Sequence, residues 1–257
     1  MKRTLILPVI IALATLTGCP SAGIYRSAKT LEKGESDFGM SFSYVNIKTK
    51  YTGDDPDLQG AESYGISLPN LIPELNYHIG VGNNMEVGGR IALGSLMMEL
   101  DFKYRFYTDG KLHMAVQPAV GYRTAVIVKG THFTMPLLMT YELSDMVSLN
   151  AFVYSSYIKW EPTDGTPDPD SDDNAWFVEG VTLGGGFGVK ITGENFYIMP
   201  AIDFSRLVVS TNGDRSDWVT DFVIFGVSFG WIGGKEMKKL KEMDHKLDRI
   251  ENKIDRM

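Results

Sequence analysis

From Asp37 to Trp231 apolar and polar residues alternate with a period of two, and clusters of Gly, Asn, Asp and Ser break the alternation at fairly regular intervals. A period of two places successive side chains on opposite faces of a strand, so the pattern predicts consecutive antiparallel hairpins. Ten strands are expected, at about 37–47, 69–81, 85–93, 96–107, 112–128, 132–143, 147–160, 175–191, 196–209 and 217–231. Beyond Trp231 the period changes. Gly233-Gly234 ends the strand pattern, and Leu240, Met243, Leu247, Ile250, Ile254 and Met257 then recur at intervals of three and four among charged residues. That spacing is the a/d seam of a helix over 232–257, able to pair with another copy or a partner as a coiled coil.

The strand over 96–107 defines two faces. Leu96, Met98, Leu100, Phe102, Tyr104 and Phe106 form one, and Met97, Glu99, Asp101, Lys103 and Arg105 the other. Leu93-Gly94-Ser95-Leu96 reads as a two-residue hairpin with glycine where positive φ is needed. Pairing Leu93 with Leu96 sets Ile91 opposite Met98, Val87 opposite Phe102 and Met85 opposite Tyr104. On the other face the same register sets Arg90 opposite Glu99 and Glu86 opposite Lys103. One turn thus matches both the apolar and the charged side.

Alternation alone allows an apolar face turned into a soluble core or out into a bilayer. Ten strands closed into a soluble barrel would leave a wide interior to fill. Phe38, Tyr44, Tyr77, Tyr104, Phe106, Tyr122, Tyr141, Phe229 and Trp231 stand near strand ends on the apolar faces, like the interfacial girdles of membrane barrels. The opposite faces combine glycines with Glu74, His78, Glu86, Arg90, Glu99, Asp101, Lys103, Arg105, Gln117, Arg123, Glu142, Lys190 and Asp203. Acids and bases nearly balance there, which predicts a lumen filled by ion pairs, with Glu86, Arg90, Glu99, Asp101, Lys103, Arg105 and Arg123 as its charge network. Connections after even-numbered strands are short, and the long ones, about 48–68, 161–174 and 210–216, follow odd-numbered strands. The fold expected is all-β: an antiparallel transmembrane β-barrel of about ten strands with a C-terminal helix. In this architecture the chain resembles bacterial outer-membrane barrel proteins, although a helix after the last strand departs from their usual aromatic C-terminus.

The N-terminus carries Lys2 and Arg3, an apolar run from Leu5 to Ala14, and Leu16-Thr17-Gly18-Cys19. The run is shorter than the ~18 residues of a membrane-spanning helix and reads as a cleaved export signal. The last four residues resemble the lipobox of bacterial lipoproteins, which implies a lipid on Cys19, the sole cysteine. In that family an aspartate after the cysteine favours inner-membrane retention; Pro20 implies the outer membrane. The expected division is 1–18 signal peptide, 19–36 lipidated tether, 37–231 barrel and 232–257 periplasmic helix, with both termini periplasmic. A formal charge of −7 argues against a nucleic-acid partner. The expected partners are membrane lipid and another copy, or a periplasmic protein, on the helix. No cofactor is expected beyond the covalent lipid.

Asp168, Asp170 and Asp172 have the 1-3-5 spacing of calcium loops, and Glu179 falls at the twelfth position, but Asp173 occupies the sixth, where such loops need glycine. The expectation is a solvated, proline-stiffened acidic loop making weak cation contacts, with no metal site. Catalysis on a barrel, as in omptin-type proteases, needs a histidine near acids at the outer rim. Only His132 falls near that end, His78 and His113 falling at the other, so no enzyme is expected. The reading is a structural or interaction protein of the cell envelope; the alternatives are a small diffusion pore and a lipid-tethered soluble carrier of an apolar ligand.

Overall fold

The computed structural model describes residues 25–51, 64–93, 96–124, 128–162, 178–211 and 214–234. Eleven strand segments run in chain order: β1 (Ser36–Tyr51), β2 (Tyr64–Gly82), β3 (Met85–Ala92), β4 (Met97–Asp109), β5 (Leu112–Val116), β6 (Ala119–Thr124), β7 (Val128–Glu142), β8 (Val147–Pro162), β9 (Val178–Thr192), β10 (Phe196–Thr211) and β11 (Asp214–Gly233). β5 and β6 are halves of one stave, because the ladder with β7 runs on from Val116↔Leu137 to Ala119↔Thr134 across Gln117-Pro118. Proline has no N–H to give the ladder, so the strand is interrupted there without losing register. Each stave pairs antiparallel with its chain neighbours, and β1 pairs with β11 from Ser36↔Gly233 to Tyr51↔Trp218. The sheet is a closed barrel of ten staves. An even number of staves is what lets the first and last meet antiparallel.

The register of β3 on β4 is the one deduced from the hairpin: Met85↔Tyr104, Glu86↔Lys103, Val87↔Phe102, Arg90↔Glu99 and Ile91↔Met98. Gly94 and Ser95, the turn that suggested it, lie outside the described residues. The expected turn near Lys129 is not there. Lys129 pairs with Glu161 inside β7, and the preceding stave ends at Thr124. Lys129-Gly130 resembles a turn in sequence, but Gly130 is an inward position beneath Trp160, where a Cβ would come within 2.3 Å of the indole. The glycine there serves packing.

Side chains sort cleanly between the two surfaces. On β4, Met98, Leu100, Phe102, Tyr104 and Phe106 are exposed on the outside while Met97, Glu99, Asp101 and Lys103 are buried inside. Phe38, Tyr77, Tyr141, Phe196 and Trp231 are exposed toward the short-turn end, and Phe38 and Phe196 both pack on Trp231. An apolar outer surface around a polar interior is the construction of a barrel that crosses a bilayer with strands. No helix among the described residues is long and apolar enough to cross a membrane.

Toward the long-loop end the polarity inverts. Val45, Ile47, Ile158, Leu207, Val209, Phe222 and Ile224 form a buried apolar cluster inside, joined by Trp160. The outside at that height carries Lys48, Lys50 and the cross-strand pair Arg206–Asp221 at 2.6 Å. Strands that rise clear of the hydrocarbon meet water outside, so burial there is inward, as in a soluble protein. The C-terminal seam from Leu240 to Met257 lies outside the described residues, and no helix occurs among those described.

Leu100 is 71 % exposed in the middle of the apolar surface. Placing a cation there by Leu100→Arg should lower folding stability in vesicles by roughly 2–4 kcal/mol, read from denaturant titration, because the charge must enter hydrocarbon. Lys50→Ala, in the polar extension, should leave the titration unchanged.

Candidate functional site

The lumen at the short-turn end contains a segment of the chain itself. Residues 25–35 precede the first strand, carry no alternation, and descend inside the barrel from mid-height to the rim. Tyr25 is the tip. It lies flat on β11, where a Cβ on Gly226 would fall 1.6 Å from its hydroxyl, so only glycine admits the ring. At the rim Gly34 N–H donates to Gly80 O at 2.8 Å, and Gly80 N–H donates to Glu35 O at 2.9 Å, extending the β2 edge to the plug's end.

Between tip and rim the plug is held mainly by polar contacts. Arg26 bonds Asp37 Oδ2 through Nη1 at 2.9 Å and reaches Glu86 through Nη2. Glu86 is fully buried and also pairs with Lys103, while its second oxygen accepts Leu31 N–H at 2.8 Å. Lys103 in turn donates to Ser27 O and Lys29 O, both at 3.0 Å. On the facing wall Thr140 Oγ1 accepts Ala28 N–H at 2.8 Å and itself donates to Asn150 Oδ1 at 2.7 Å. Lys29 pairs with Glu142 near the rim. Burial works against the charge on Arg26, but Glu86 and Asp37 outweigh it and raise the guanidinium's hold on its proton. The plug therefore carries a permanent cation into a low-dielectric interior, compensated by two acids.

Above the plug the wall pairs with itself. His78 Nε2 lies 2.9 Å from Asp101 Oδ2, whose other oxygen accepts Gln117 Nε2–H at 2.8 Å. Arg90 bridges Glu99 at 2.9 Å and Glu74 at 3.7 Å, and His132 Nε2 lies 2.8 Å from Glu99 Oε2. Higher still, Tyr154 donates to Asp203 at 3.2 Å. Beside the plug at the short-turn end is a cavity of about 440 Å³, lined by Lys29, Glu35, Lys103, Glu142, Lys190 and Tyr197 among others. Lys190 Nζ lies 3.9 Å over the Tyr197 ring within it.

The structure thus brings together five members of the expected charge network, in two groups: Glu86 with Lys103, and Arg90 with Glu99, with Asp101 beside His78. Two members stand apart. Arg105 is at the rim, where it bonds Asn84 Oδ1 at 2.7 Å, and Arg123 donates to Met97 Sδ at 3.4 Å on β4. Sequence reasoning missed Tyr25, Arg26, Ser27, Ala28 and Lys29, which it placed in a tether, and also Asp37 and Asn76. The available signal was a surplus of acid inside: once Arg105 is at the rim and Asp37 faces inward, the lumen lacks a cation that Arg26 supplies. Cys19 and the acidic loop of Asp168, Asp170 and Asp172 lie outside the described residues. Among those described, no three His, Cys, Asp or Glu side chains converge as a metal site.

No protein family matches the chain by sequence, and no curated protein matches it either. Solved bacterial outer-membrane β-barrels resemble it in architecture. The outer-membrane protease OmpT of Escherichia coli aligns with 80% of this chain and 99% of its own at 8% identity, with a TM-score of 0.42. Ail, the attachment invasion locus protein of Yersinia pestis, aligns with 78% of this chain and 99% of its own at 13% identity and a TM-score of 0.31. The outer membrane protein OprG of Pseudomonas aeruginosa aligns with 81% and 99% at 10% identity and a TM-score of 0.33.

Glu86→Leu should destabilise the barrel by about 3–5 kcal/mol, seen as a lower urea midpoint in micelles, because it strands Lys103 as a buried cation and leaves Arg26 to Asp37 alone. Adding Lys103→Met should restore much of the loss. If the double variant is no more stable than Glu86→Leu alone, Lys103 and Glu86 are not held as a buried pair.

Proposed function

We propose that the chain is a lipid-anchored outer-membrane barrel with a closed lumen, serving the envelope as a structural or interaction protein and not as an open pore. The observation that carries this reading is the N-terminal segment seated in the lumen, its Arg26 shared between Asp37 and Glu86. A cation paired with two buried acids is costly to withdraw into an unpaired state, so the plug belongs to the resting protein. Toward the loop end the apolar cluster lines the wall from β8 to β1.

The tether fits the same reading. Five residues lie between Cys19 and Tyr25, a reach of about 20 Å from one to the other when extended. A lipid on Cys19 would hold the plug's tip on a short leash, and two or more acyl chains make such an anchor stable. With short turns on the anchored side, the longer loops face outward as in other outer-membrane barrels. The C-terminal seam of Leu240, Met243, Leu247, Ile250, Ile254 and Met257 would then extend into the periplasm and associate copies there. A helix this short is marginal alone in water, so its apolar stripe needs a partner.

A narrow channel, opened when the plug leaves, is the second reading, and the polar nature of the plug's contacts favours it over an apolar carrier. Planar-bilayer recording separates the two. The full chain should show no steady current steps, whereas a chain lacking residues 25–33 should conduct, provided that it keeps the faster gel mobility of a folded barrel before boiling. Steady steps from the full chain would put the channel first. For the anchor, labelled palmitate should be incorporated into the full chain and not into Cys19→Ser; equal labelling would sink the lipoprotein assignment.

A further inference from the structure

Where the plug's tip meets the wall there is a space of about 50 Å³, lined by Tyr25, Arg26, Asn76, His78, Arg90 and Gln117 among others. Tyr25 Oη, Arg26 Nε, Asn76 Oδ1, His78 Nδ1 and Gln117 Oε1 are buried here without a hydrogen-bond partner among the described residues. Two of them are fixed by what their neighbours do. Gln117 gives its amide N–H to Asp101, which leaves its carbonyl oxygen over. His78 faces the same carboxylate with Nε2, so Nε2 carries the hydrogen and Nδ1 offers a lone pair. Three acceptors, one hydroxyl and the Arg26 Nε–H around a common space call for a small occupant that both donates and accepts hydrogen bonds.

We infer that this space is an internal water site, and that bound water joins the tip of the plug to the barrel wall. Size agrees, since one water needs about 10–15 Å³ of such volume and two or more fit here. An ammonium or alkali cation has the right appetite for oxygen, but Arg26 and Arg90 line the same space beside Glu99 and Asp101, so no net negative charge is left to hold it, and a cation cannot accept from Arg26 Nε. Water both donates and accepts, so a pair can serve the three acceptors, the Tyr25 hydroxyl and the Arg26 Nε–H together. Among the described residues, the plug's direct bonds to the wall start at Arg26 and beyond. Its tip is fastened through solvent.

The test is a crystal structure of the full chain in detergent at a resolution that shows ordered water, for the wild type and for Tyr25→Phe. The wild type should show two density peaks, each within about 3.2 Å of at least two of these five atoms. Tyr25→Phe should lose the peak on the hydroxyl and keep the one shared by Asn76, His78 and Gln117. An empty space, or Tyr25 Oη bonded directly to Asn76 or Gln117, overturns the site. An anomalous peak there after a rubidium soak would also overturn it, in favour of a cation. Should Tyr25→Phe not fold, as judged by gel mobility before boiling, the wild-type density and the soak decide alone.

Discussion

Backbone amides in hydrocarbon have no water to bond, so a sheet that enters a bilayer must satisfy every edge with another strand. In this chain the pairing of β1 with β11 meets that demand, running the full length of β1 from Ser36 to Tyr51. Closure then dictates the rest. It fixes which side chains face lipid, it encloses an interior, and it forces that interior to be filled by whatever the inward positions and the neighbouring chain provide. The Gln117-Pro118 interruption shows how strict the demand is: the strand loses a donor, yet the ladder on both sides keeps register and Pro118 O still accepts from Phe102 at 3.0 Å.

Filling follows two regimes along one lumen. Within the bilayer the outside is apolar, so the inward positions take the polar residues and must satisfy them mutually, which yields Arg90 between two acids and the His78–Asp101–Gln117 set. Above it, water lies outside and the apolar residues turn in, as Val45, Ile47, Leu207 and Ile224 do. The same strands β1, β10 and β11 take part in both regimes without changing face, because alternation is kept and only the identity of the inward residue changes with height. A shift of one residue at the boundary would expose both sets wrongly at once.

Much of this was legible. Alternation gave all ten staves, and the Leu93–Leu96 hairpin gave the β3–β4 register to the residue, because a two-residue turn leaves one alignment that matches both faces. Two features escaped for physical reasons. The inward apolar cluster escaped because Val45 and Ile47 continue the alternation of Ser41 and Ser43, and periodicity carries no information about height relative to the bilayer. The plug escaped because residues 25–35 have no period; their placement is set by partners far away in sequence, with Arg26 meeting Glu86 sixty positions on. Likewise Arg105 and Arg123 fall on the correct face but near the rims, where register alone cannot predict whether a long side chain turns inward or out.

The charge count explains why the plug is part of the fold. Glu86 pairs across the ladder with Lys103, which by itself would be a balanced buried pair, but Asp37 also faces inward and Glu86 accepts a backbone N–H as well. Without residues 25–35, Asp37 and Glu86 would lose the guanidinium that bonds them both, and Lys103 would lose the two carbonyls of Ser27 and Lys29 that complete its donors. Arg26 bridges the two acids, and the peptide's own carbonyls and amides satisfy groups that no strand reaches. Apolar burial by the plug is slight, confined to Tyr25 and Ala28. The interaction is thus specific without being greasy: its strength comes from the cost of leaving each partner alone in the lumen, so the segment remains bound as long as bulk solvent cannot take the place of its partners.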